Sequence, residues 1–163
     1  MTEKQYVNMT NYIRKNKFLE HVIINLSKYI PKFIIIIYII SSIYLIATKN
    51  QKAFNFLFIP FVNLVFVSIF RKIVNSKRPY DKFDYEPIGK YKKGKGQSFP
   101  SRHTSSATII AIASFYLNPI LGVIMSILVL IVGVTRIICG VHYPKDVIGG
   151  VIISITCWMI LTI

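Results

Sequence analysis

Long apolar runs are the feature that most constrains what this chain can fold into. The runs occupy residues 33–47, 53–70, 104–134 and 147–163. Only 16% of all residues are charged and the mean hydropathy is +0.54, whereas about a quarter of the residues in a soluble domain are charged. A helix of roughly 20 apolar residues crosses the hydrocarbon core of a bilayer. The runs therefore predict an all-α integral membrane helical bundle, built as one domain over residues 1–163.

The first 32 residues are basic and amphipathic. Six Lys and Arg residues alternate there with apolar residues at roughly helical spacing, which is typical of a helix that lies in the membrane interface. Pro31 is expected to end this helix. No short apolar region with a small-residue cleavage site follows the basic start, so we do not expect a signal peptide.

The apolar stretch 104–134 is too long for one crossing. As a single helix it would exceed 40 Å, at about 1.5 Å per residue, against a hydrocarbon core of roughly 30 Å. We therefore expect a hairpin with Asn118-Pro119 as its turn. This gives about five transmembrane helices plus the N-terminal amphipathic helix. In the second of the five, Pro60 should cause a kink and Asn63 should bond to a neighbouring helix.

The same threading brings three polar blocks to one side of the membrane. The only long polar segment, residues 71–103, joins the second and third spans, and residues 135–146 join the fourth and fifth. The blocks are Arg71-Lys72 with Arg78-Pro79, Pro100-Ser101-Arg102-His103, and Arg136 with His142 and Asp146.

The residue types in these blocks suit phosphoryl transfer. Several guanidinium groups around one point make a site for a dianion. A neutral histidine whose second ring nitrogen donates to a carboxylate is a nucleophile, and His142 with Asp146, four residues on, fits that pairing. His103 at the start of a helix can protonate a leaving oxygen, and free amides there favour an anion.

At this point the chain resembles the type 2 phosphatidic acid phosphatase (PAP2) superfamily, whose signatures are K-x6-RP, P-S-G-H and S-R-x5-H-x3-D. The first is matched from Arg71 to Arg78-Pro79, with arginine in place of lysine. The second is matched at residues 100–103, with Arg102 in place of glycine. The third is matched from Thr135 to Asp146, with threonine in place of serine. The resemblance covers residues 53–163, which we expect to be the catalytic core. In place of the first span that the family usually has, this chain has the amphipathic segment 1–32.

The resemblance implies a role for each matched residue and requires neither metal nor another cofactor. His142 attacks phosphorus, Asp146 orients it, and His103 protonates the leaving group. The phosphoryl oxygens are expected to contact basic and hydroxyl side chains, namely Arg71, Arg78, Ser101, Arg102 and Arg136. Lys72, one residue out of register with the signature, is a further candidate.

The expected substrate is a lipid phosphate in the bilayer, and three classes remain open: phosphatidic acid, phosphatidylglycerol phosphate and polyprenyl diphosphate. One alternative is a phosphotransferase that uses the same phosphohistidine with another acceptor. A second alternative is a non-catalytic membrane protein that binds anionic lipid. The net charge of +14 does not indicate nucleic acid, because the apolar runs place the chain in a membrane. The sequence carries no signal for an oligomeric state.

The charge distribution and the family resemblance predict opposite orientations of the site in the membrane. Of the 20 Lys and Arg residues, 18 fall on the expected site side, against Lys49 and Lys52 on the other. The positive-inside rule would place the site in the cytoplasm, whereas members of the family commonly face the outer leaflet. The resemblance thus favours the extracytoplasmic face of a bacterial cell membrane. Cys139 and Cys157 are expected to be small buried hydrophobic residues.

Overall fold

The computed structural model describes residues 1–91, 93, 94 and 96–162, and within them it contains helices and no strands. This confirms the predicted all-α class. The helices are α1 (Glu3–Lys15), α2 (Lys17–Ala47), α3 (Ala53–Val74), α4 (Pro79–Lys82), α5 (Arg102–Leu117), α6 (Pro119–Ile138) and α7 (Pro144–Thr162).

Four segments are long and apolar enough to cross a membrane: Lys17–Ala47, Ala53–Lys82, Pro119–Ile138 and Pro144–Thr162. Their outer faces expose large apolar side chains, as in Ile40, Phe61 and Ile124, which suits contact with lipid. The protein is therefore an integral membrane protein. The third predicted span, α5, has only 16 residues, or about 24 Å, and it lies in the centre of the bundle against α3, α6 and α7.

The predicted hairpin over residues 104–134 is confirmed. Asn118 caps α6, because its Oδ1 accepts hydrogen bonds from the amides of Ile120 (2.8 Å) and Leu121 (3.1 Å). Beside this turn, Lys52 donates from Nζ to the carbonyl of Tyr116 (2.8 Å). The turn thus lies at the end of the bundle where α3 begins, and the start of α5 and the end of α6 share the opposite end.

The prediction that Pro31 ends the first helix is wrong. The helix boundary is at Asn16, whose side chain accepts a hydrogen bond from the Leu19 amide (3.1 Å) and caps α2. α2 then continues through Pro31 to Ala47. Proline has no N–H, so the carbonyl four residues earlier, on Ser27, has no helical donor. Arg136 of α6 donates to that carbonyl instead.

Pro60 lies inside α3 and is accommodated in the same way. The carbonyl that it leaves free, on Phe56, accepts a hydrogen bond from the hydroxyl of Tyr38 on α2 (3.3 Å). One turn further along α3, Asn63 donates from Nδ2 to Ser105 Oγ of α5 (3.0 Å). This confirms the expected contact of Asn63 with a neighbouring helix. Polar contacts therefore tie α2, α3 and α5 together within the membrane.

Candidate active site

The three polar blocks meet where α5 and α7 begin. The amide of Ser101 donates to the carbonyl of Asp146 (2.8 Å), which joins the second block to the third. Gly150 allows this approach, because a Cβ there would lie only 2.9 Å from the Ser101 carbonyl oxygen. Arg71 joins the first block to the second, because its Nη1 donates to the carbonyl of Pro100 (2.5 Å).

His142 and Asp146 form a buried pair. His142 is only 2% exposed, and its Nδ1 lies 3.4 Å from Asp146 Oδ2. Although the two residues are four apart in sequence, they do not share a helical turn. α7 begins at Pro144, so His142 lies in the preceding loop and Asp146 in the first helical turn. The same Oδ2 accepts a hydrogen bond from the Tyr143 amide (3.0 Å), which fixes the loop against the helix.

Ser98 is a further partner of Asp146 that the sequence patterns did not indicate. Its Oγ donates to Asp146 Oδ2 (2.5 Å), and it is completely buried. Ser98 lies two residues before the second signature, in a polar loop where a lone serine carries no pattern. The contact arises only because the loop folds back onto the start of α7.

His142 is neutral at physiological pH. Burial is the main cause that lowers the pKa of its imidazole to about 4; the hydrogen bond to Asp146 opposes this shift, and the charges of Arg78 and Arg71 add to it. A neutral ring whose Nδ1 proton points at a carboxylate presents the Nε2 lone pair. The described residues contain no group of three or more His, Cys, Asp or Glu side chains placed to hold a metal ion.

The arginines of the site are buried without carboxylate partners. Arg71 and Arg136 are 6% and 5% exposed, and half-buried Arg78 donates from Nε to the Gly96 carbonyl (3.1 Å). Within the described residues the ion pairs are Arg14–Glu86 and His142–Asp146. Buried charges normally need a counterion. Three guanidinium groups held only by neutral carbonyls therefore make a site that an anion would neutralise.

The remaining candidates occupy different positions. Ser101 is buried and caps α5, since its Oγ accepts from the amide and the hydroxyl of Thr104 (3.4 and 2.9 Å). Arg102 is exposed and lines a cavity with His103. Lys72 is exposed on α3. Consecutive side chains on a helix do not share a face, so Lys72 points away from the direction of buried Arg71.

His103 lies where two cavities meet. The first, of about 460 Å³, is an apolar groove between α2, α3 and α5, and its walls include Ile34, Tyr38, Phe61, Leu64 and Ile110. The second, of about 760 Å³, is a basic pocket whose walls include Lys28, Lys32, Lys90, Tyr91 and Arg136. Pro31, Ile35 and His103 line both cavities. A molecule in contact with His103 can therefore extend into both the apolar groove and the basic pocket.

The N-terminal helix α1 contacts the loop that carries His142. Tyr6 is fully buried, and its hydroxyl donates to the carbonyl of His142 (3.2 Å). Its ring stacks on Tyr85 at 5.3 Å, and the Tyr85 hydroxyl donates to the carbonyl of Gly140 (2.6 Å). Two phenols thus hold two carbonyls of the loop. Sequence patterns indicated an amphipathic helix here, with no sign of this contact.

The fold defines the class: a helical integral membrane protein. A family model for the PAP2 superfamily matches residues 52–163, which is more than half of the chain. The chain therefore belongs to the PAP2 superfamily, as its three signatures predicted.

Individual relatives agree with this placement. Over 58 residues the chain is 43% identical to undecaprenyl-diphosphatase BcrC of Bacillus subtilis (strain 168), a stretch that covers 36% of this chain and 30% of that protein. A transmembrane PAP2-type phosphatidylglycerolphosphate phosphatase from Bacillus subtilis has a similar structure, with a TM-score of 0.75 and 19% identity over 98% of this chain and 82% of the other. LpxE from Aquifex aeolicus gives a TM-score of 0.74 and 22% identity, over 98% and 94% of the two chains. The two structures share the fold.

Proposed function

We propose that the protein is a membrane lipid phosphate phosphatase that works through a phosphohistidine at His142. The observation that carries the proposal is the pairing of a buried, neutral His142 with Asp146 next to buried arginines that lack carboxylate partners. A nucleophile and an anion site in one place are what phosphoryl transfer requires, since its catalysis is mostly positioning and charge stabilisation.

The first step forms a nitrogen–phosphorus bond. Nε2 of His142 attacks the phosphorus atom while Nδ1–H donates to Asp146, which stabilises the imidazolium as it forms. The bond from phosphorus to the leaving oxygen breaks, and a protonated His103 supplies the proton that this oxygen needs. The products of the step are a phosphorylated His142 and the released lipid.

The second step restores the enzyme. A water molecule attacks the phosphorus atom of the phosphohistidine and passes a proton to His103, which now acts as a base. The nitrogen–phosphorus bond breaks, inorganic phosphate leaves, and His142 returns to its neutral form. In both steps Arg71, Arg78 and Arg136 neutralise the charge on the phosphoryl oxygens.

The apolar groove supports a lipid as the substrate. It begins at His103 and runs between α2 and α3, whose outer faces are themselves apolar. An acyl or prenyl chain in this groove would place its phosphate beside the two histidines. The relatives named above as an undecaprenyl-diphosphatase and a phosphatidylglycerolphosphate phosphatase support the same substrate class.

The test uses two of the three histidines of the chain. The purified protein, in detergent, is mixed with a lipid phosphate labelled in its terminal phosphorus and quenched in alkali, in which a phosphohistidine survives. We expect label on the protein and release of phosphate, and we expect His142→Ala to lose both. His21→Ala, a change at an exposed histidine of α2, is the matched control. Undiminished phosphate release by His142→Ala would overturn the proposal, and transfer of label to an added lipid alcohol would indicate a phosphotransferase.

We further propose that the site faces the extracytoplasmic side of a bacterial cell membrane, on the strength of the family resemblance. In a variant without Cys139 and Cys157, Lys93→Cys would report the site side and Gln51→Cys the opposite end, because both positions are exposed. An impermeant thiol reagent applied to intact cells should label position 93 and not position 51. The reverse pattern would place the site in the cytoplasm.

A further inference from the structure

The basic pocket beside His103 contains more positive charge than one phosphate requires. Three lysines line it together with Arg136, namely Lys28 and Lys32 on α2 and Lys90 on the polar loop before α5. No Asp or Glu is among its described lining residues. Arg71 and Arg78 do not line this pocket, so the three lysines supply most of its positive charge beside Arg136.

The two lysines of α2 lie beside the same aromatic ring. Their Nζ atoms lie 5.2 Å (Lys28) and 5.8 Å (Lys32) from the centroid of the same ring, that of Tyr29. Like charges four residues apart on a helix destabilise each other. Neither lysine has a carboxylate partner among the described residues. An anion bound between the two ammonium groups would turn this repulsion into attraction.

The pocket lies on the leaving-group side of the proposed reaction. His103, which would protonate the leaving oxygen, lines both the basic pocket and the apolar groove. Atoms attached to the leaving oxygen therefore lie at the junction of the two cavities, where the lysines of one are within reach while the lipid chain occupies the other. A leaving group that carries its own phosphate fits this arrangement, whereas an uncharged glycerol ester would leave the lysines without a counterion.

From this arrangement we infer that Lys28, Lys32 and Lys90 form a subsite for a second phosphate of the substrate. The inference rests on the proposed phosphatase function and narrows its substrate class. The favoured substrate is a lipid whose terminal phosphate is removed and whose leaving group retains another phosphate. A polyprenyl diphosphate has the two phosphates joined directly, and phosphatidylglycerol phosphate has them joined through glycerol.

The first experiment compares substrates with and without the second phosphate. Wild type and the Lys28→Gln/Lys32→Gln double variant are assayed on a polyprenyl diphosphate, the matching monophosphate, phosphatidylglycerol phosphate and phosphatidic acid. We expect kcat/KM for the diphosphate to fall at least tenfold and the values for the two monoesters to stay within twofold. A parallel loss on phosphatidylglycerol phosphate would show that the subsite also accepts a glycerol-linked phosphate. Equal losses on all four lipids, or none, would overturn the subsite.

A matched control removes the same charge elsewhere on the same side. Lys4→Gln/Lys17→Gln changes two exposed lysines of α1 and α2 that line neither cavity. If attraction of anionic lipid to a basic surface explained the effect, this variant would lose as much as the other. We expect it to keep the wild-type preference for the diphosphate.

A binding experiment keeps the subsite testable apart from catalysis. In the His142→Ala background, the rise in the thermal midpoint is measured with inorganic diphosphate and with orthophosphate. We expect diphosphate to bind at least tenfold more tightly, and we expect Lys28→Gln/Lys32→Gln to abolish the difference. Equal affinity for the two anions would refute the subsite, whereas failure of wild type to release phosphate from any lipid would refute the proposed function alone.

Discussion

Arg136 donates from Nη2 to the main-chain carbonyl of Ser27 at 2.6 Å. The carbonyl is free because Pro31, four residues further along α2, has no N–H to offer it. A residue that looks in sequence like a helix breaker thus supplies an acceptor for a buried arginine of the candidate active site. The guanidinium needs this acceptor, because its Nε has no hydrogen-bond partner within the described residues.

Pro31→Ala should weaken phosphate binding. The new N–H of residue 31 would compete with Arg136 for the Ser27 carbonyl, and hydrogen bonds to charged groups are worth about 1.5–3 kcal/mol. We expect the inhibition constant of inorganic phosphate to rise roughly fivefold to tenfold, because Arg136 would lose only part of the energy of this hydrogen bond. The thermal midpoint should stay the same or rise, because a helix bond is restored. An unchanged inhibition constant would show that Pro31 does not position Arg136.

Pro60→Ala is the matched control for this change. It also adds an N–H inside a membrane helix, but the carbonyl concerned is that of Phe56, whose donor is the Tyr38 hydroxyl. The contact involves no arginine, and Pro60 lines the apolar groove but not the basic pocket. The inhibition constant of phosphate should therefore remain within twofold of wild type.

Ser98→Ala should slow turnover. The change removes the hydroxyl that donates to Asp146 Oδ2, and a hydrogen bond to a charged group of about 1.5 kcal/mol corresponds to roughly tenfold in rate. We expect kcat to fall by about that factor with little change in KM, and Ser98→Thr to restore it. Ser114→Ala is the control, because this buried serine donates only to its own helix, at Ile110. Equal activity of Ser98→Ala and wild type would exclude a positioning role.

Tyr6→Phe should affect the site from outside the region that the family model matches. The ring and its stacking on Tyr85 are retained, and only the hydrogen bond to the His142 carbonyl is lost. A neutral hydrogen bond contributes about 1 kcal/mol, so we expect a small loss of stability and a several-fold lower kcat. Tyr12→Phe, at a side chain that is 71% exposed, should change neither quantity. A Tyr6→Phe enzyme with wild-type kcat would show that α1 does not hold the nucleophile in place.

The low pKa of His142 should appear in the pH dependence of stability. The folded protein keeps this imidazole neutral down to a pKa of about 4, while the unfolded chain protonates it near its ordinary value of 6.5. Between those values the unfolded state binds more protons, so stability falls as the pH falls, by up to about 3 kcal/mol in total.

The measurement compares thermal midpoints in detergent at pH 7 and pH 5. We expect the acid-induced drop to be smaller in His142→Asn than in wild type, because the variant has no imidazole to protonate at this position. His21→Asn, at an exposed histidine, should leave the wild-type drop unchanged. Identical drops in wild type and His142→Asn would contradict the low pKa.

The order of the helices and the convergence of the polar blocks could be predicted, because both follow from hydrophobic length and chain threading. The hairpin at Asn118-Pro119 is the clearest case, since hydrocarbon thickness excluded a single helix over residues 104–134. The continuity of α2 could not be predicted in this way. Pro31 is tolerated because Arg136, more than 100 residues away, donates to the free carbonyl of Ser27, and local sequence does not contain that contact.

The single hydrogen bonds that Ser98 and Tyr6 make to the site could not be predicted from sequence patterns either. Ser98 lies in a loop without periodicity, and its position depends on how residues 75–101 fold over the start of α7. Tyr6 stands in an amphipathic helix, where an aromatic residue is expected at the membrane interface. Its burial depends on Tyr85 and on the loop before α7, which are distant in sequence. Motif spacing identified the charged groups, whereas the residues that hold them in place became visible only in three dimensions.

The contact between Tyr6 and the His142 carbonyl joins residues 136 positions apart. α1 leaves the ribosome well before the loop that carries His142. The two can meet only after the α5–α6 hairpin has been made and α7 has begun to follow it. The His142 loop therefore acquires this support late in synthesis, so a nascent chain arrested before α7 would contain every arginine of the candidate site but no assembled site.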